Sequence, residues 1–134
     1  MIKFENNSNK IIKELGNEII NALEEASGEL EAEVKRNTKV KTGKTKQSWQ
    51  HTVDKQKYVA YVGSNYENAI WEEFGTGIYA LNGNGRKDVP WHYMDESGQW
   101  HSTKGKKPRR AFKKAYLRLK PLIKKFFKER LKDL

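Results

Sequence analysis

The sequence predicts an α+β fold, an antiparallel β-sheet of two hairpins packed with long N-terminal and C-terminal helices. Three observations carry that expectation. Apolar residues recur every three or four positions toward both ends of the chain, the period of a helix with one buried face. Between these stretches, short runs alternate apolar and polar residues around turn-forming clusters, as hairpins do. The resulting order is helix, hairpin, short helix, long loop, hairpin, helix, without an internal repeat, and it suits a single domain of 134 residues.

The first helix is expected over residues 8–38. Ile11, Ile12, Leu15, Ile19, Ala22, Leu23, Ala26, Leu30 and Val34 form its apolar stripe, and Ser8 is a suitable N-cap. About 30 residues at about 1.5 Å each give roughly 45 Å, so one end should protrude or kink, with Gly28 as the candidate bend. A basic connector follows, in which Thr42-Gly43 breaks the helix and residues 44–48 can form a further turn. The first hairpin is expected over 49–63, with Asp54-Lys55-Gln56-Lys57 as a four-residue loop.

Asn65 can cap a short helix over 66–74. In it, Ala69-Ile70-Trp71 make one apolar turn, Glu72-Glu73 interrupt it, Phe74 restores it and Gly75-Thr76-Gly77 stops it. Two glycines flanking a threonine point to backbone dihedrals, or close backbone contacts, that a side chain would obstruct. A flexible loop is expected over 77–90. The second hairpin, 91–103, turns at Asp95-Glu96-Ser97-Gly98, which suits a type I turn followed by a left-handed glycine. That register sets Trp91 opposite Thr103 and Tyr93 opposite His101, all on one face. The last helix, 109–131, starts near Pro108. Phe112, Ala115, Tyr116, Leu119, Leu122, Ile123, Phe126, Phe127 and Leu131 form its stripe. A bend is expected at 117–121, because Pro121 removes a backbone bond.

Composition narrows the chemistry. There is no cysteine, hence no disulfide framework, thiolate metal site or cysteine nucleophile. No apolar run approaches the roughly 20 residues of a membrane span, and the first residues show no signal-peptide pattern; a soluble protein used without export is expected. The net charge of +10 is uneven: residues 1–34 hold eight acidic and three basic side chains, whereas residues 102–134 hold fourteen basic and two acidic ones. Such blocks can grip phosphates, or face opposite blocks on the same chain or on another copy.

Catalytic and ligand-binding patterns are weak. His51, His92 and His101 are the only histidines. In the register above His92 and His101 lie on opposite faces; a two-residue turn at Ser97-Gly98 would bring them together but still offers no third ligand. No Gly-x-Ser-x-Gly elbow is present. Glu72 and Glu73 diverge by about 100° on a helix, so one is expected to be solvated and the other to bond nearby backbone or a Lys/Arg. The run Gly83-Asn84-Gly85-Arg86-Lys87 lacks the spacing of a phosphate loop and reads as a loop tip. With Tyr79 and Asn82 it is the candidate subunit-interface loop. Basic side chains interleaved with Trp49, Trp91, Tyr93 and Trp100 keep a sequence-tolerant nucleic-acid-binding module open as an alternative. Lys104, Lys106, Lys107, Arg109, Arg110 and Lys113 would then be its contacts to the DNA backbone.

An ordered set of short motifs resembles the tail-completion family of long-tailed bacteriophages and prophages, also described as neck or minor tail-component proteins. Thr42-Gly43 with Ser48 is similar to the element before its first strand, and Val62-Gly63 to its strand end. Ala69-Ile70-Trp71-Glu72-Glu73-Phe74-Gly75-Thr76-Gly77 resembles its most recognisable box. The run from 82 to 87, Pro90-Trp91 and Gly98-x-Trp100 resemble its loop and second hairpin. Thr103-x-Gly105 with Pro108, Phe112 and Ala115 resembles the lead into its last helix. The likeness covers about residues 10–127. Glu72 stands where the family more often has an apolar residue, and Arg109-Arg110 where it has polar or small ones. The resemblance implies a structural virion protein at the head–tail junction or tail end, assembled in the host cytoplasm. It would work there as a ring of identical subunits beside other head-completion and tail proteins. It implies no catalytic residue, cofactor or metal.

Overall fold

The computed structural model describes residues 8–40 and 43–132. Helix α1 spans Ser8–Asn37 and α2 Lys44–Ser48. Strands β1, Gln50–Asp54, and β2, Val59–Gly63, form the first hairpin. Helix α3, Glu67–Phe74, runs into a single 3-10 turn at Gly77–Tyr79. Strands β3, Trp91–Met94, and β4, Trp100–Thr103, form the second hairpin, and α4, Ala111–Leu131, closes the described chain. The architecture is α+β, with two long helices and two small antiparallel hairpins.

The long helices run antiparallel. Asn37 Nδ2 donates to the Ala111 carbonyl at one end, and Arg130 pairs with Glu18 and Glu25 at the other. The first hairpin lies along α1: His51 meets Glu24 and Glu31 at 3.3 Å, and Gly16 leaves room for the Tyr58 hydroxyl. A compact core forms where α1, α2, α3 and α4 converge. Leu30, Val34, Trp49, Ala69, Ala115 and Leu119 are buried in it, and the Trp49 and Phe112 rings stack at 5.9 Å.

Several expectations are refined. The hairpins are separate two-stranded ribbons rather than one sheet, because residues 77–90 carry the second hairpin away from the first. Helix α1 is continuous through Gly28, whose Cα side faces the His51 ring with room for a Cβ at ordinary contact distance. Residues 8–17 run past the Glu18–Arg130 contact, leaving Ile11 and Ile12 exposed. The first hairpin's four-residue loop is Lys55-Gln56-Lys57-Tyr58, one position later than read. Asp54 Oδ1 accepts from the Gln56 and Lys57 N–H groups, so Asp54 both ends β1 and holds the loop.

Asn65 is not a cap. Tyr66 holds the N-cap position of α3 without a side-chain cap bond, and its N–H is taken by the Ser64 hydroxyl. Helix α4 begins at Ala111, not at 109, since Arg110 has a left-handed backbone (φ 58°) that ends the incoming loop. Pro108 therefore sits outside the helix, packed by Gly75. Helical structure continues through Pro121. Leu117 and Pro121 are exposed there, so water can take the carbonyl that the proline leaves unpaired. In the second hairpin the register is the one read from its turn: Trp91 faces Thr103 and Tyr93 faces His101, with Gly98 at φ 84°. Thr42 lies outside the described residues.

Candidate assembly surface

The box from Ala69 to the turn at Gly77 has an inner and an outer side. Inside, Ala69 and Glu73 are buried. The Glu73 carboxylate accepts the Phe112 N–H at 2.9 Å and the Lys113 N–H at 3.0 Å. These are the orphan donors of the first turn of α4, so a side chain of one helix caps another. Arg110 completes the arrangement. Its Nη1 donates to the Glu73 carbonyl, its Nε lies 3.8 Å from the Glu73 carboxylate, and its guanidinium sits 5.1 Å from the Phe74 ring centroid. Glu72 turns the other way. It pairs with Lys106 at 3.5 Å, and its carbonyl accepts the Arg109 N–H.

The glycines after the box meet the segment that leads into α4. Thr76 N–H donates to the Lys106 carbonyl and Ile78 N–H to the Lys104 carbonyl, while Lys106 N–H donates to Thr76 Oγ1. Gly77 (φ 60°) and Gly105 (φ 131°) abut, so that a Cβ on Gly77 would run into the Lys104 carbonyl and one on Gly105 into the Thr76 carbonyl. Gly-Thr-Gly and Thr-x-Gly are thus two halves of one backbone crossing, and Thr103 Oγ1 closes it by accepting the Gly105 N–H.

Outside, the same turns present Ile70, Trp71, Phe74, Ile78 and Leu81, each between 43% and 54% exposed. Leu81 N–H donates to the Phe74 carbonyl, joining the loop to the end of α3. The loop makes contacts along its length. Gly85 packs on Gly77 and Ala80, Arg86 lies over Trp91 at 5.3 Å, Tyr79 carries Lys107 at 5.7 Å, and the exposed tip is 81–84. Pro90 leads from it into β3, and Lys87 is exposed beside Arg86.

The remaining motif residues are scattered through the scaffold. Gly43 (φ 83°) opens α2. Ser48 donates to the Thr45 carbonyl and accepts from Ser64, and Thr45 Oγ1 accepts from Asn68, tying α2 to α3. Nothing within 4 Å explains a glycine at Gly63. Trp100 is 66% exposed, although a tryptophan on a short strand reads as core. Ile70 escaped the sequence reading of an interface; its signal was an apolar turn, Ala69-Ile70-Trp71, too wide for a short helix to bury.

Two of the candidate DNA-contacting residues have partners within the subunit. Arg110 is committed to Glu73 and Phe74, and Lys106 to Glu72 and Asn68. Lys104, Arg109 and Lys113 are exposed. A cleaner cationic face lies further along α4, where Lys114, Lys124, Lys125 and Lys128 are exposed without an ion pair among the described residues. His51 and His101 are occupied with Glu24, Glu31 and Asp95, and Tyr93 stacks on His101 at 5.2 Å. Among the described residues, no cluster of three or more His, Asp or Glu is arranged to hold a metal ion, and no helix is long and apolar enough to cross a membrane.

The exposed apolar side chains of α3 and of the turns after it lie on a small α+β scaffold. Residues 2–75 match the family described as "Bacteriophage HK97-gp10, putative tail-component". The chain belongs to this family of bacteriophage tail components. The matched span ends at Gly75, so the backbone crossing, the second hairpin and α4 lie beyond it. No curated protein and no solved structure matches the chain.

Proposed function

We propose that this chain is a non-catalytic structural protein of the virion that completes the tail or joins it to the head as a homo-oligomeric ring. Family membership supports the tail-component role. The observation that carries the assembly role is the exposure of Ile70, Trp71, Phe74, Ile78 and Leu81 beside a glycine crossing that admits no side chain. Such a patch is stabilised when other protein removes it from water. Its partners in this reading are sister copies and neighbouring head-completion and tail proteins, met in the host cytoplasm during assembly and retained in the particle.

The test is a pair of exposed substitutions, Trp71→Glu with Leu81→Glu. The isolated protein should keep its unfolding temperature, and phage carrying the change should lose infectious yield with heads and tails left unjoined. Normal yield from a folded double variant would refute the role.

A second reading is favoured by the lysine face of α4. Its two ion-paired cations, Arg118 and Arg130, point to α1 carboxylates, whereas the outward cations are lysines. Lysines suit mobile, sequence-blind contact with phosphates. Duplex DNA passing the ring could touch this face. Retention of a short duplex at low salt, lost steeply as salt rises, is the expected behaviour; no binding at low salt would remove this reading.

A further inference from the structure

A groove of about 560 Å³ opens between α1 and α4. Its floor is apolar, with Leu119, Leu122 and Phe126, and Leu122 is 57% exposed. Its rim is acidic: Glu24, Glu25 and Glu29 line it, and no lysine or arginine does. Bonds within the subunit do not cancel that charge. Arg130 is shared by Glu18 and Glu25. His51 is shared by Glu24 and Glu31, and Lys35 also pairs with Glu31. Glu29 has no ion pair among the described residues. Five carboxylates therefore face Arg130, Lys35 and at most one charge on His51, which leaves this side of α1 at a net of −2 or below.

We infer that this groove receives the exposed side of α3 from a neighbouring copy, with Ile70, Trp71 and Phe74 on the apolar floor. The inference rests on the homo-oligomer reading above and names both halves of its contact. Ile70 and Phe74 stand at i and i+4, with Trp71 three residues before Phe74, the spacing with which an amphipathic helix fills a groove. The edge of α3 carries the opposite charge. Arg86 lines the hollow beside Ile70, Trp71 and Phe74, in which no carboxylate takes part, and Lys107 lies over Tyr79. Neither cation has an ion pair among the described residues, while Glu72 and Glu73 are held by Lys106 and Arg110. The second hairpin is exposed as well, but residues 91–103 hold no lysine or arginine to answer the rim. A copy does not fill its own groove. Glu73 fixes α3 on the first turn of α4, whereas the groove opens at Leu119, roughly 10 Å further along that helix. The contact is head-to-tail, which closes into a ring when the rotation permits.

The chain has no cysteine, so engineered thiols are unique handles. Asn82 lines the hollow beside α3, and Asn21 is exposed one turn before Glu24 and Glu25. Asn82→Cys and Asn21→Cys proteins, mixed and treated with a short bis-maleimide, should give a one-to-one cross-linked dimer that neither gives alone. Gln99→Cys, exposed on the second hairpin, is the control partner. Equal cross-linking of Asn82→Cys to Gln99→Cys would overturn the inference. So would absence of the mixed dimer at a concentration where light scattering shows the native protein assembled; the ring would then stand on another surface. Native protein that stays monomeric at its solubility limit, with no cross-link, would overturn both readings. Charge reversal gives a second readout. Arg86→Glu and Glu29→Arg should each weaken self-association by about tenfold or more while leaving the unfolding temperature unchanged, and the two changes on one chain should recover it. Two losses that add instead of recovering would refute the pairing of these faces.

Discussion

Glu73→Gln isolates the cost of losing a helix cap that comes from another helix. Glutamine has nearly the same shape, keeps one acceptor oxygen, and turns an N–H₂ toward the second donor. The carboxylate now takes the N–H groups of both Phe112 and Lys113 and sits 6% exposed. A hydrogen bond to a charged group contributes about 1.5–3 kcal/mol. A negative charge at a partly buried helix N-terminus adds between about 0.3 and 2 kcal/mol. Allowing for overlap, the loss should be about 2–4 kcal/mol. Unfolding entropy of about 2.1 cal/mol/K per residue gives roughly 0.28 kcal/mol/K for 134 residues, so Tm should fall by about 7–14 °C. Glu72→Gln is the internal control. Its pair with Lys106 spans 3.5 Å and is half exposed on the lysine side, so it should cost less than about 1 kcal/mol. Thermal unfolding followed by circular dichroism reads both. If the two neighbouring glutamates shift Tm equally, or Glu73→Gln shifts it by under about 2 °C, the idea that α3 organises the start of α4 is wrong.

Further outcomes are expected. Gly77→Ala should destabilise by about 2 kcal/mol or more, because a Cβ there collides with the Lys104 carbonyl at a left-handed backbone; Gly83→Ala, with open space around it, should cost only about 1 kcal/mol, both measured in urea. Acid should destabilise the fold through Glu33 and Asp95. The Arg36 guanidinium, with Arg118, outweighs burial and holds Glu33 below its ordinary 4.5, and the Ser97 hydroxyl, then His101 and the Gln99 N–H, hold Asp95 well below 3.8. Folded values below unfolded ones contribute stability that is complete above about pH 4.5 and is lost as pH falls through the folded values. Glu33→Gln should flatten that acid limb in urea midpoints taken from pH 6 to pH 2, and an unchanged limb would count against it. If the lysine face of α4 meets DNA, Lys124→Gln and Lys128→Gln should each reduce the salt slope of duplex binding by about one, read by fluorescence anisotropy.

Local grammar made some of this structure readable in the sequence. Asp95 and Gly98 set the register of the second hairpin because a turn type fixes the pairing of the strands it joins. Gly75-Thr76-Gly77 declared a backbone that no side chain would fit, and both the positive dihedrals and the close contact are there. The partner of that backbone, near Gly105, was not readable: nothing in either segment names the other across nearly thirty positions. The same holds for Glu73, whose bonds to residues 112 and 113 decide where α4 begins. Periodicity alone placed that start too early, because it cannot foresee that Arg110 adopts a left-handed backbone between the loop and the helix. The outward turn of Trp71 and Trp100 was hidden for a different reason. Aromatic residues are core by habit, and a single chain does not say whether its core is completed by itself or by a neighbour.

The two charge blocks show how far that ambiguity reaches. An acidic first third and a basic last third are equally suited to self-contact and to contact between copies. Within the subunit, Arg118 joins Glu33, and Arg130 bridges Glu18 and Glu25. Much of the opposition is thus consumed in holding α1 against α4, where it sets their direction and register. What it leaves outside is of both signs, lysines on α4 and the exposed carboxylates of Glu14 and Glu29 on α1. Beside these charges, the proposed ring has the apolar side of α3 and the second hairpin to draw on, both with exposed aromatics.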